Sequence, residues 1–167
     1  MATIHELMQE LEHEARTTRR VLERVPGDRL DWKPHDKSLS LGQLAHHVAT
    51  IPARISELAM QDVFNVSGPI PRPTAASTAE LLAQFEESMA IARANLGKLD
   101  DAALGATWTM SVGGRPASTM TRGVMLRTIL LNHWYHHRGQ LTVYLRQTGA
   151  LVPSVYGASA DELPPTA

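Results

Sequence analysis

Three short patterns constrain this 167-residue chain most: Thr3-x-x-Glu6, Ser40-x-x-Gln43 and Ser77-x-x-Glu80 each stand directly ahead of an apolar series at helical spacing. In a capping box of this kind the hydroxyl accepts the amide three residues on, and the acid or amide side chain reaches back, so two orphan donors of a helix start are satisfied. The first box introduces Ile4, Leu7, Met8, Leu11, Ala15, Thr18, Leu22 and Val25, and Pro26-Gly27 then stops the helix. The second opens a helix from Leu41 to about Gln61. Its interior Pro52 removes a backbone hydrogen bond, but the apolar period continues through Ile55 and Leu58, which predicts a kink rather than a break. The third introduces Leu81, Leu82, Phe85, Met89, Ala92 and Leu96.

The intervening stretches read as connections. Asp28 to Leu39 carries Pro34 and several charges, and Gln61 to Ala76 holds Gly68 and three Pro, so both are expected to be loops. A short helical turn is expected around Asp100 to Leu104. Trp108 to Ser118 alternates about Gly113-Gly114, which suits a short β-hairpin. A fourth helix is expected from about Thr121 to Thr148, roughly 40 Å long, with Gly149 as its C-terminal cap. From about residue 150 the chain (Pro153, Gly157, Asp161, Glu162, Pro164, Pro165) reads as an irregular tail. The sum is an all-α chain, one four-helix-bundle domain over 1–167, with the hairpin ahead of the last long helix.

Composition narrows the function. Lys and Arg number 16 against 17 Asp and Glu, for a net charge of −1, so no basic field exists for nucleic acid or an anionic membrane. No stretch approaches 18 apolar residues, and Met1 to Glu6 reaches an acid without an apolar run, so neither a spanning helix nor a secretory signal is expected and the cytoplasm is the expected compartment. The absence of Cys excludes a disulfide framework, a Cys-ligated zinc site, an iron–sulfur cluster and a Cys nucleophile. Eight His is the unusual number.

Helical phase separates those histidines. On the second helix His47 shares the apolar stripe of Leu44 and Ile51, whereas His46 falls with Gln43, Thr50 and Glu57 on the wet side. On the fourth helix His133 and His137, at i and i+4, lie on the stripe of Leu126, Leu130, Leu141 and Tyr144, and His136 is rotated away. His5, His13 and His35 fall on polar faces or in a loop. A single inward imidazole commonly bonds a carbonyl or a Tyr such as Tyr144. Three need several partners on a stripe of Leu and Ile, and one divalent metal satisfies them all. Spacing alone leaves both readings open, since a His-x-x-x-His pair also arises by chance among eight His. Gly139, in mid-helix beside the pair, predicts either close approach of a neighbouring helix at a site or plain tight packing.

The run Leu131-Asn132-His133-Trp134-Tyr135-His136-His137-Arg138-Gly139-Gln140-Leu141 resembles the signature helix of the DinB-like (YfiT-like) superfamily. Trp32-Lys33-Pro34 followed by Ser40 to Ala49 is similar to that family's other His-bearing segment, and Val152-Pro153-Ser154-Val155-Tyr156-Gly157 with Asp161-Glu162 resembles its ending. The resemblance covers effectively the whole chain. It implies a four-helix bundle, commonly a homodimer, with a divalent metal held by His47, His133 and His137. Zn or Ni is the metal most readily found in such a site, with Fe, Mn or Co as further candidates.

Three His leave positions open for water or substrate, as in a catalytic site. Two chemistries follow: activation of water, giving a hydrolase, or activation of a low-molecular-weight thiol, giving an S-transferase on a small molecule. With no Cys in the chain, the thiol must come from outside. Relatives in the resembling superfamily include thiol-dependent S-transferases and a mycothiol-dependent maleylpyruvate isomerase. A damage-associated metal- or ligand-binding protein without turnover is the alternative. No general base is placed: Glu12, Glu14 and Glu57 read as solvated charges. Arg138 reads as an interhelical ion pair in preference to an anion clamp, and Trp32, Tyr144 and Tyr156 as core before pocket wall.

Overall fold

In the computed structural model, which describes residues 3–164, Thr3, Ser40 and Ser77 occupy the N-caps of α1 (Ile4–Leu22), α2 (Leu41–Ala59) and α3 (Thr78–Leu96). The boxes at Thr3 and Ser40 are reciprocal, whereas Glu80 turns to the amide of Ala76, 2.8 Å away, so only the hydroxyl half of the third forms. A single 3₁₀ turn, Gly27–Arg29, follows α1, and α4 (Asp101–Gly105) is the expected short turn. Met1, Ala2 and Pro165 lie outside the described residues.

Pro52 sits inside α2 and the helix continues through it. Proline has no amide, so the carbonyl of Val48, four residues back, lacks its helical donor. The indole Nε1–H of Trp134 fills that place at 2.8 Å, and both residues are fully buried. The next amide, Ala53 N–H, donates to Ser88 Oγ on α3 at 2.9 Å. The hydrogen bonding displaced by one proline thus ties α2 to the helices on either side.

The chain is mostly helical but not all-α. A three-stranded sheet, β1 (Val63–Val66), β2 (Thr107–Val112) and β3 (Arg115–Thr121), has order β1-β2-β3. β2 and β3 pair antiparallel across Gly113 and Gly114, both at positive φ (57° and 78°), the backbone a tight two-residue hairpin turn requires. β1 corrects the expectation of a loop from Gln61 to Ala76. It is four residues long and pairs parallel with β2, a partner far along the chain that no local pattern reveals. Arg122, buried, locks the sheet to the helices: Nε donates to Ala59 O (2.7 Å), Nη1 to Ala103 O (2.8 Å), and Nη2 pairs with Asp62 (2.6 Å).

The expected fourth helix is three pieces in one run: α5 (Arg122–Met125), a π-helical segment Leu126–Asn132, and α6 (His133–Gln147), with Gly149 beyond at φ 81°. α2 is the central helix, packed on α3 and α6, and α1 also lies against both. Leu11, Leu44, Val48, Ile51, Phe85, Met89, Trp134 and Leu141 form the middle of the core. The tail from residue 150 has no regular structure but is held down: Arg146 pairs with Asp161 at 2.5 Å, Arg20 pairs with Glu162, and Ser154 is buried. Among the described residues, no helix is long and apolar enough to cross a membrane.

Candidate metal centre

α2 and α6 bring His47, His133 and His137 together, each half-buried, with potential ligand nitrogens all within 4.8 Å of one another. Ring centroids lie 4.5 Å apart for His133–His137, 4.6 Å for His47–His137 and 5.2 Å for His47–His133, and every pair meets edge to face. The Trp134–Val48 hydrogen bond ties α6 to α2 beside this contact, one residue from a histidine on each helix.

Two of the imidazoles have their proton placed by a neighbour. Nδ1–H of His133 donates to Ile129 O at 3.2 Å, and Nδ1–H of His137 donates to Gln140 Oε1 at 2.8 Å. In a neutral ring the other nitrogen, Nε2, then carries a free lone pair. The π-helical segment supplies the first acceptor: the amide of His133 reaches Thr128 O and Leu130 O, so it leaves Ile129 O to the imidazole.

All three rings favour the neutral state. Burial pushes the His47 pKa down to about 4, with His137, His133 and Arg54 adding to the effect. Burial also lowers His133 and His137, against the opposing pull of their Ile129 and Gln140 acceptors. Neutral imidazole is the ligand form of histidine. Nε2 of His47 lies 3.4 Å from Nε2 of His133. Two nitrogens on a tetrahedral ion with bonds of about 2.0–2.1 Å stand roughly 3.3–3.4 Å apart, so the spacing fits a shared metal. A proton on His47 Nε2 satisfies one facing lone pair and leaves the other unmet.

The histidines form the floor of a cleft of about 460 Å³. Gln43 and Leu44 of α2, Gln140 and Tyr144 of α6, and the loop Ile70 to Pro73 make its walls. His46, expected on the wet side, is half-buried and lines this cleft, where burial and Arg54 lower its pKa. Residues 70–73 line the cleft beside His46, and Arg72 O accepts from Nε2 of Gln43, which shares the His46 face, at 3.1 Å. Tyr144 also lines the cleft, with Trp32 edge-on to it at 5.5 Å. Gln140 escaped the sequence reading as a partner of the site, although it closes the Arg138-Gly139-Gln140 run three residues after His137.

The other singled-out residues lie elsewhere. Arg138 is 1% exposed and pairs with Glu14 of α1 at 2.5 Å, the interhelical ion pair expected of it. Glu14 corrects its own expectation: it is buried (5% exposed), with Oε2 also accepting from Tyr156 Oη at 3.0 Å. The Tyr156 ring lies exposed over the Arg138 guanidinium, 5.1 Å away. Glu12 pairs with Arg93 and Glu57 is exposed. His5, His13 and His136 are exposed, as their helical phase predicts, and so is His35 in its loop. Gly139 fits neither of its readings, because nothing lies within 4 Å of a Cβ placed there.

The fold is shared with solved structures. A DinB-like protein from Bacillus cereus ATCC 10987 is 27% identical with a TM-score of 0.73, over 92% of this chain and 98% of that one. The DinB-like protein YjoA from Bacillus subtilis is 20% identical with a TM-score of 0.62, over 81% of this chain and 86% of that one, a likeness of fold alone. An uncharacterised protein of Bacillus subtilis strain 168, YrdA, is 46% identical over 43 residues, spanning 26% of this chain and 25% of that protein. The model of the DinB family matches from residue 1 to residue 165, through every helix and strand described above, and the chain belongs to the DinB family.

Proposed function

We propose that His47, His133 and His137 hold one divalent metal ion and that the cleft above them makes the chain a metal-dependent enzyme on a small molecule, on a four-helix bundle of the DinB/YfiT kind. The observation that carries this reading is the set of neutral imidazoles whose Nδ1 protons are committed to Ile129 and Gln140, leaving Nε2 lone pairs to converge beneath an open cleft. When bound, Zn or Ni, or alternatively Fe, Mn or Co, supplies Lewis acidity that favours the deprotonated form of a water or of an external low-molecular-weight thiol. The chain's own part is positioning. Ile129 and Gln140 orient the two α6 rings, Trp134 holds α6 on α2, and Leu39, Leu44 and Tyr144 exclude water from one side of the cleft. Hydrolysis and thiol S-transfer both suit this arrangement, and the thiol must be external because the chain has no Cys. Assembly as a cytoplasmic homodimer belongs to the same proposal.

One observation favours a second reading, a metal- or ligand-binding protein without turnover. Among the described residues neither Asp nor Glu contributes to the cleft lining, so no carboxylate base joins His47, His133 and His137 there. Metal analysis after gentle purification tests both: about one ion per chain is expected, falling to trace in His137→Ala, and metal-free wild type that takes up none on titration would refute them. Turnover is then tested with zinc-loaded protein, a thiol and a panel of electrophiles. A rate no higher than that of His137→Ala selects the binding reading.

A further inference from the structure

The cleft's charge is lopsided. Lys37 from the loop before α2, Arg54 from α2 and Arg72 from the 70–73 loop all contribute to its lining, which among the described residues contains no Asp or Glu, although acids slightly outnumber bases in the chain as a whole (17 against 16). Among the described residues none of the three makes an ion pair. Arginines elsewhere do find carboxylates: Arg127 holds Glu10 at 2.6 Å, Arg93 holds Glu12 at 2.6 Å, and Arg146 holds Asp161 at 2.5 Å. Cations of one sign around a concave, partly apolar wall raise the local concentration of anions, because field lines focus where low-dielectric walls displace water. Leu39, Leu44, Ile70 and Tyr144 supply that wall.

Resting on the reading of the cleft as a small-molecule site, we infer that its substrate class is anionic: a small molecule whose carboxylate, phosphate or sulfonate is held by Lys37, Arg54 and Arg72 while its apolar body and reacting end lie over the histidines. At about 460 Å³ the cleft falls in the lower part of the usual range for small-ligand sites. Arg54 is central to the arrangement. It comes from the same helix as His47, seven residues on, about two turns, so both residues lie on one face of α2 and line the same cleft.

Glutarate and its neutral diamide, titrated calorimetrically at low salt into zinc-loaded and EDTA-dialysed protein, test the inference. Glutarate is expected to bind about tenfold or more tightly than the diamide in both forms, the effect of roughly one charge-assisted hydrogen bond. The double variant Arg54→Gln/Arg72→Gln, and separately Lys37→Gln, are expected to reduce that preference at unchanged zinc content, while Lys98→Gln, just beyond the C-terminal end of α3, leaves it intact. All of these positions are exposed, and thermal melts confirm folding. Equal binding of the two probes, no binding of glutarate, a preference that survives the double variant, or a preference seen only with zinc would each overturn the inference. An anion preference in protein that takes up no metal would instead sink the metal proposal and leave this one standing.

Discussion

The indole Nε1–H of Trp134 donates to the carbonyl of Val48 at 2.8 Å, and that carbonyl is the one Pro52 deprives of its helical donor. A proline in α2 and a tryptophan in α6 are therefore complementary parts of one hydrogen bond, placed one residue from His47 and one residue from His133. Trp134→Phe leaves Val48 O buried and unmet, at a cost of about 1–3 kcal/mol. Pro52→Ala restores an amide to it, so Trp134→Phe is expected to cost measurably less in a Pro52→Ala background. Urea denaturation of the four proteins measures the coupling, and additive effects would show that the pairing does not matter.

Gln140 touches the proposed ion only through His137, whose Nδ1–H it accepts at 2.8 Å. Replacing it with Leu removes the acceptor and frees the ring's tautomer and rotation. Zinc affinity, measured by competition with a chromophoric chelator, is expected to fall roughly 10–100-fold, the usual effect of losing a partner of a metal-bound histidine. Gln140→Glu, which keeps an acceptor, should recover most of it.

Acid should act through the half-buried histidines His46, His47, His133 and His137, all lowered and His47 the most strongly shifted. The folded-state pKa of His47 is about 4 against an ordinary 6.5, so in this window the unfolded chain binds a proton that the folded chain refuses. The stability is fully present above 6.5 and declines as pH falls towards 4. Glu10, Glu12 and Asp161, whose carboxyl pKa values are lowered by arginine partners, add losses at the acid end of the range, so the informative comparison is with His47→Leu. Metal-free His47→Leu should show a shallower fall in unfolding free energy between pH 6.5 and 4.5 than metal-free wild type, and parallel curves would count against the shift.

Arg138 and Glu14 form a buried ion pair between α6 and α1, extended by Arg138 Nη1 to Thr18 Oγ1 at 3.1 Å and by Tyr156. Arg138→Met leaves the Glu14 carboxylate buried without its partner and is expected to cost roughly 3–5 kcal/mol. Arg138→Met combined with Glu14→Leu should be much less damaging than the single change. Denaturant midpoints decide it.

Gly139 is exposed, lies inside α6, and has open space where a side chain would go. Gly139→Ala is therefore expected to raise stability by about 0.5–1 kcal/mol, because alanine loses less backbone freedom in a helix, with no change in zinc content.

Caps, phase and turns were legible in the amino-acid sequence because they depend on neighbours within a few residues. Thr3, Ser40 and Ser77 mark three helix starts, Gly113-Gly114 marks the turn, and the i, i+3 and i+4 relations place His47, His133 and His137 on inward stripes while leaving His136 outside. What stayed hidden depends on distant partners. β1 exists only by pairing with β2, Glu14 is buried where Arg138 reaches it from α6, and His46 lines a cleft whose other wall comes from residues 70–73, distant in the chain. The π-helical segment is hidden for a related reason: apolar spacing looks the same on either side of a one-residue change in hydrogen-bond register. The sequence alone therefore determined that His47, His133 and His137 face inward, but not that His46 joins them at the cleft. The tertiary structure decided which nitrogen each ring of the α6 pair offers, since a tautomer is set by the hydrogen bond at its other nitrogen, and those acceptors, Ile129 O and Gln140 Oε1, take their places only in the folded helix.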